Sequence, residues 1–310
     1  MAPSNRKAIA TLAIGPHYES LWRSHCEASW HAYAERHGYD VIAVTQPLDT
    51  SDRARARSPA WQALLVLSQD WSAKYDRIAW VDSDIVLNYR EAPCILDACP
   101  EELVGAVEEY DTFGPMLKQV IKERSRKYWQ TLAIVPDELK AAHKGEADPY
   151  SAYGLPRTFP HHLNCGVLAA SPRRHRALFE HIYYGYEDKG SPAWNYHNWP
   201  MAFELQDRKV LHLLDPRFNF VLFYFMLLFA PAVHPLLPTL SGGRLAVRAA
   251  FKMSWFLHFA GVQFYMPYLG RLEERYEGGD IKFEEIMHTL PSELKALKDA
   301  FDRARPEGKA

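Results

Sequence analysis

The sequence predicts an α/β fold in which a mostly parallel sheet carries helices on both faces. Three observations predict it. Short apolar runs of strand length alternate with segments of helical periodicity through the first half of the chain. Turn residues fall between them, at Gly15-Pro16, Gly38 and Ser58-Pro59. The 310 residues are 48% hydrophobic and 13% aromatic, enough to fill a sizeable core. One unit over residues 1–310 is expected: a core at 7–265, a charged helical insertion at about 110–156, and a C-terminal helical extension at 266–310.

The elements follow in order. Lys7–Ile14 reads as a strand closed by Gly15-Pro16. Glu19–His37 places Leu21, Trp22, Cys26, Trp30 and Tyr33 on one face of a helix, and Gly38 is a suitable stop. Tyr39–Val44 is the second strand. Ser58-Pro59 opens a helix through Trp61, Leu64, Leu65 and Leu67. Arg77–Val81 is a strand that runs straight into Asp82-Ser83-Asp84. Tyr110–Pro156 breaks the rhythm with Lys118, Lys122, Glu123, Arg124, Arg126 and Lys127. It fits a lid or acceptor cleft and equally a solvated surface helix. His161–Ala170, Val210–Leu214 and Trp255–Ala260 are further strands, Pro172–Tyr186 a helix, and Ile281–Ala304 a closing amphipathic helix.

The composition excludes some functions. A formal net charge of -2 argues against a nucleic-acid binder, which carries a concentrated basic surplus. Cys26, Cys94, Cys99 and Cys165 form no dense framework and read as reduced thiols, and no secretory signal precedes the first strand, so a cytoplasmic protein is expected. Phe220–Val233 is apolar apart from the Tyr224 hydroxyl, yet too short for a bilayer span of roughly 20 residues. It fits a buried helix, a contact in a homodimer, or a segment docking peripherally on the inner face of a membrane. Arg244, Arg248 and Lys252 would assist such docking.

Asp82-x-Asp84 carries the chemistry. Two carboxylates one residue apart point to opposite faces of a strand, but where the strand has ended they can converge on one cation. A hard ion such as manganese or magnesium suits oxygen ligands and keeps sites free for phosphate oxygens.

Four blocks resemble the GT-A glycosyltransferases, in particular the retaining galactosyl-, mannosyl- and xylosyltransferase group and the glycogenin-like group. They are Tyr33-Ala34-Glu35-Arg36-His37-Gly38-Tyr39, Trp80-Val81-Asp82-Ser83-Asp84, Asn164-Cys165-Gly166-Val167-Leu168 and His258-Phe259-Ala260-Gly261. The resemblance implies a GT-A sheet and a Mn2+ (or Mg2+) ion held by Asp82, Asp84 and His258. It implies a nucleoside diphosphate sugar as donor and a glycan or lipid-linked acceptor. It places Gly15 and Tyr18 against the nucleotide base, Arg57 and Trp61 against the nucleotide or sugar, and Ser83 beside the metal. Asn164 and Gly166 would line the sugar pocket, and Gly261 would let the backbone approach the diphosphate. Where the group has an acidic residue followed by Gln, the chain reads Tyr196-His197-Asn198-Trp199-Pro200. Asn198 would take the acid's place, and an amide cannot act as a carboxylate nucleophile. That favours a retaining, same-face route over double displacement. An inverting route would need a general base, for which Glu108, Glu109, Asp188 and Glu204 are candidates. Two other functions share parts of this pattern. A nucleotidyltransferase would show a basic, Gly-rich first turn, which Gly15-Pro16-His17-Tyr18 lacks. A sugar-binding module would keep the metal site without transfer.

Overall fold

The computed structural model describes residues 6–131, 137, 140–141, 147–190, 195–229, 240–272 and 274–277. Its strands are β1 (Lys7–Leu12), β2 (Tyr39–Val44), β3 (Arg77–Val81), β4 (Ile85–Leu87), β5 (Val104–Glu108), β6 (Leu163–Ala170), β7 (Leu211–Leu213), β8 (Phe220–Val221) and β9 (Phe256–His258). Its helices are α1 (Pro16–His25), α2 (Glu27–His37), α3 (Asp52–Arg55), α4 (Pro115–Thr131), α5 (Pro149–Tyr153), α6 (Pro172–Gly185), α7 (Asn198–Asp207), α8 (Leu222–Phe229), α9 (Leu240–Met253) and α10 (Glu274–Glu277). The main sheet has the order β2-β1-β3-β6-β5-β7. Only β6 pairs antiparallel with its neighbours, so the other five strands run in one direction. This is the mostly parallel α/β architecture expected from the alternation.

Alternate side chains of the sheet enter two cores. Ile9, Ala79, Val81 and Ala169 face α1, α2 and the small sheet β4-β9-β8. Ala8, Ala10, Ile78, Trp80 and Ala170 face α6, α7 and the tight helix Pro59–Ser68. Burial on both faces accounts for the continuous apolar runs.

Several expected elements take another form. The helix read over Glu19–His37 is two helices, broken at Cys26, whose thiol donates to the Ser83 carbonyl at 3.3 Å. The helix after Pro59 is a 3-10 helix, and all of Trp61–Leu67 is buried. It has no solvent face of the kind an amphipathic α-helix needs. The strand expected at Trp255–Ala260 is β9 of the small sheet, whereas β4, β8 and β5 escape a pattern search because they are short or buried throughout. The closing helix read at Ile281–Ala304 lies outside the described residues.

The apolar run from Phe220 is covered within the chain over the part that is described, as the buried-helix reading expects. Phe220–Met226 is buried, and the charged insertion covers it. Tyr128 of α4 packs on Phe223, with ring centroids 4.9 Å apart, and Phe113 packs on Phe220 at 5.2 Å. Each fully buried large apolar side chain contributes roughly 1.5–3 kcal/mol, so burial within the chain satisfies this segment without lipid. Residues 230–233 lie outside the described residues, and among the described ones no helix is long and apolar enough to cross a membrane.

Candidate metal centre

The Asp82–Asp84 segment is the corner between the two sheets. Asp82 N–H donates to the Gly166 carbonyl at 2.8 Å, which ties the end of β3 to β6. Ile85 N–H then returns to the Asp82 carbonyl at 3.2 Å, closing a turn before β4 starts in the small sheet. The turn cancels the strand alternation that would otherwise send the two carboxylates apart. It is braced from outside by Cys26, and by Trp30, whose indole N–H donates to the Ile85 carbonyl at 2.9 Å.

The small sheet delivers the third group. β9 pairs antiparallel with β4, placing His258 opposite Ile85, and parallel with β8, placing it opposite Val221. His258 Nε2 lies 3.2 Å from Asp84 Oδ1 and 3.8 Å from Asp82 Oδ2. One ligand atom from each of Asp82, Asp84 and His258 lies within 4.8 Å of the others. The His258 side chain is 4% exposed and that of Asp84 11%, whereas that of Asp82 is 41% exposed. The centre is therefore closed on the histidine side and open at Asp82.

The charges fit a cation. Asp82 opens to solvent yet is walled in by protein, and this partial desolvation, then the Asp84 carboxylate, push it above the usual carboxylate range against the pull of His258. Burial would raise Asp84 too, but His258 and the Gln263 amide hold it low. Burial alone would lower the His258 imidazole, and Asp84 followed by Asp82 outweighs it and raises it. Two acids and an imidazole thus crowd a space whose negative charge one divalent ion would neutralise.

The residues behind the ligands fit as well. Asn219 Oδ1 meets His258 Nδ1 at 2.8 Å, which holds the proton on Nδ1 and leaves Nε2 facing the carboxylates. Asn219 Nδ2 donates to Asn164 Oδ1 at 2.9 Å and to its carbonyl at 3.1 Å. Gln263 Nε2 donates to Asp84 Oδ2 at 2.8 Å. Neither Asn219 nor Gln263 stands out in the sequence; the one signal for Gln263 is its place two residues after Gly261. Asn219→Ala is expected to lower manganese affinity by roughly 10–100-fold, the usual effect of losing such a partner. Calorimetric titration with Mn2+ checks this, and unchanged affinity would show that the Nδ1 contact does not tune the ligand.

Asn164 and Gly166 come from an irregularity in β6. Its pairing with β5 jumps from Ala106↔Leu168 to Val107↔Asn164, so the intervening residues bulge. A Cβ on Gly166 would sit 2.6 Å from the His258 ring and 3.0 Å from both Asp82 Oδ2 and Asn164 Oδ1. Only glycine leaves room for the three side chains. Asn164 Oδ1 also accepts from Gly166 N–H at 3.0 Å, and its Nδ2 donates to Glu109 at 3.3 Å. One N–H of that amide remains for a ligand.

The other expected site residues separate into groups. Gly15 (φ 90) caps α1, Tyr18 is 47% exposed on its first turn, and Gly261 (φ 71) forms the turn after β9. Ser83 is buried, with its carbonyl held by Cys26. Asn198 opens α7, its backbone N–H bonded to the Asn195 carbonyl at 2.9 Å. Arg57 and Trp61 require correction. The Arg57 side chain is 2% exposed and donates to the Tyr183 and Tyr186 carbonyls at 2.8 and 2.9 Å, stacked over the Trp61 ring at 4.5 Å. Trp61 itself is fully buried. This pair joins the Pro59–Ser68 helix to the end of α6 and presents no cation to a phosphate.

The candidate bases also differ. Glu204 is bound by His181, Tyr186 and Arg208, and Glu108 by Lys118 and His161. Asp188 accepts from the Ser58 and Gly190 backbone N–H groups. Glu109 takes Asn164 and the Tyr224 hydroxyl on one oxygen, while its buried second oxygen has no partner. Burial pushes its carboxyl up.

No family model and no curated protein matches the chain. Among solved structures, it is similar to a glycosyltransferase involved in the glycosylation of the major capsid of PBCV-1, at 13% identity and a TM-score of 0.46, covering 84% of this chain and 98% of that one. It is similar to the WbbM bifunctional glycosyltransferase at 13% identity and a TM-score of 0.48, covering 92% of this chain and 52% of that one. It is similar to the galactosyltransferase LgtC, solved with donor and acceptor sugar analogs, at 12% identity and a TM-score of 0.41, covering 86% and 99%.

Proposed function

We propose that the chain is a metal-dependent glycosyltransferase that moves a sugar from a nucleoside diphosphate sugar to a hydroxyl of a glycan or lipid-linked acceptor. The observation that carries this is the convergence of Asp82, Asp84 and His258 at the corner between the two sheets. A site made of two carboxylates and one imidazole suits Mn2+ or Mg2+. When bound, the ion supplies Lewis-acid neutralisation of a diphosphate leaving group.

The chain's own residues do the remainder. Asp82 and Asp84 anchor the site on a turn, and Asn219 holds a proton on Nδ1 of His258, so that Nε2 is the atom turned to the ion. Gly166 keeps the floor of the site clear. The opening beside Asp82 is where a diphosphate would enter, and Tyr18 would lie against the nucleotide base. Asn164, with its spare amide N–H, and Asn198, at the start of α7, would border the transferred sugar. Neither amide can form a covalent glycosyl intermediate, which favours a retaining same-face transfer with the leaving diphosphate accepting the acceptor's proton. A panel of nucleotide-sugars tests the function: one donor should be hydrolysed with Mn2+ or Mg2+ and protected by a chelator. No turnover of any donor, or turnover indifferent to chelation, would contradict it.

A further inference from the structure

Of the four cysteines, Cys94 is the one whose sulfur meets an amine. Lys7 Nζ donates to Cys94 Sγ at 3.5 Å, and the Tyr39 hydroxyl shares a hydrogen bond with the same sulfur at 3.0 Å. Cys26 and Cys99 instead donate to carbonyls. Cys94 is also the most exposed of the four, at 8%, against 0% for Cys26, 4% for Cys99 and 2% for Cys165. A small oxidant therefore reaches it first.

The pair is held in place from both sides. Lys7 begins β1 and stands opposite Tyr39, the first residue of β2, while Cys94 lies in the chain between β4 and β5. That chain is pinned on either side of the sulfur. The Tyr33 hydroxyl donates to the Pro93 carbonyl at 2.8 Å and accepts from Ile95 N–H at 2.9 Å, and Leu96 N–H donates to the Tyr39 hydroxyl at 3.3 Å. The Lys7 side chain is only 15% exposed, with Nζ over the Tyr39 ring at 5.2 Å. Its ion pair with the exposed Asp97 is long, at 3.9 Å. A lysine is seldom this buried without a close acid, and here its nearer contact is a thiol, a weak acceptor.

We propose that Lys7 and Cys94 are an oxidisable pair that closes under peroxide into a covalent sulfur–nitrogen bridge, stapling β1 to the chain before β5. Hydrogen peroxide oxidises the Cys94 thiol to a sulfenic acid and is itself reduced to water. The Lys7 ammonium releases one proton to solvent, and its nitrogen attacks the sulfur. The S–N bond forms as the S–O bond breaks, and the departing hydroxyl takes a second hydrogen from the nitrogen and leaves as water. The bridge joins residues 87 apart, a long loop of the kind whose closure stabilises most. It sits at the start of β1, whereas Gly15 follows the other end of that strand, so the bridge stands apart from the metal centre and does not rest on the function proposed above.

Treating the purified protein with hydrogen peroxide, blocking the remaining thiols and weighing the tryptic peptides tests this. Peptide 7–23, uncleaved after Lys7, should appear joined to peptide 91–118, lighter by two hydrogens than their sum, and dithiothreitol should separate them. Lys7→Arg keeps the positive charge and Cys94→Ser keeps a hydrogen-bonding group, and each should abolish the joined peptide. The bridged wild type should melt about 5 °C or more above the reduced protein, and peroxide should not raise the melting temperature of Lys7→Arg. No joined peptide in the wild type overturns the proposal. A joined peptide that persists in Cys94→Ser places the sulfur at Cys99 and overturns it too. A bridge that forms without raising the melting temperature overturns its role as a staple.

Discussion

Asp84→Asn is expected to abolish metal-dependent donor turnover and to leave the fold intact. The substitution keeps the side-chain volume and an oxygen for Gln263, which donates to Asp84 at 2.8 Å. It removes a charged ligand, so the loss of Mn2+ affinity should exceed the roughly 10–100-fold typical of residues behind the ligands. Calorimetry measures the affinity and circular dichroism the fold. Retained Mn2+ affinity would remove Asp84 from the site. The same centre sets a pH dependence in the wild type. Asp84 and Asp82 raise His258 above the usual histidine range, and Asp82 is itself pushed up. The ion needs His258 neutral and both acids ionised, so protons compete with it more as pH falls. Apparent Mn2+ affinity should therefore climb on going from pH 6 to pH 8, by about tenfold per unit for each proton displaced. A flat profile would mean that the ion binds elsewhere.

Gly166→Ala is expected to cost nearly as much, through geometry and not charge. The added methyl would lie 2.6 Å from the His258 ring, far inside contact distance. His258 is 3% exposed and held at Nδ1 by Asn219, so it has nowhere to retreat. Either the ring leaves the carboxylates or β6 shifts and takes Asn164 with it. Both outcomes lose Mn2+ affinity, and turnover should fall by about 100-fold or more, since a displacement of 1 Å at such a site can have that effect. Gly261→Ala provides the contrast. No atom lies within 4 Å of its Cβ position, so its effect should be confined to backbone strain at φ 71. Wild-type turnover in Gly166→Ala would show that the described floor of the site is not needed.

Asp82 and Asp84 are legible in the sequence as a carboxylate pair closing an apolar strand, and His258 through the block His258-Phe259-Ala260-Gly261 that resembles the GT-A glycosyltransferases. The strands β1, β2, β3 and β6 are legible as apolar runs bounded by turns. The direction of β6 is not, since nothing in an apolar run encodes which way its partners run. Of the small sheet only β9 is legible, within Trp255–Ala260; β4 and β8 hold two or three residues, too few for any periodicity, so the sheet that carries His258 and Asn219 to the corner is not. Arg57 shows the opposite failure. An arginine in the run Arg53, Arg55, Arg57 looks available, but its partners are carbonyls more than a hundred residues away. The Phe220 run looks exposed only while the insertion is read as solvated. Tyr128 and Phe113, which cover it, are scattered through a charged segment where no apolar stripe stands out.

A manganese-soaked crystal recorded at the manganese absorption edge tests the central claim most directly. The metal-centre account predicts one strong anomalous peak between Asp82, Asp84 and His258, with Nε2 of His258 turned to it and Nδ1 still on Asn219. A peak elsewhere, or none while His258 keeps its contact with Asp84, would contradict it.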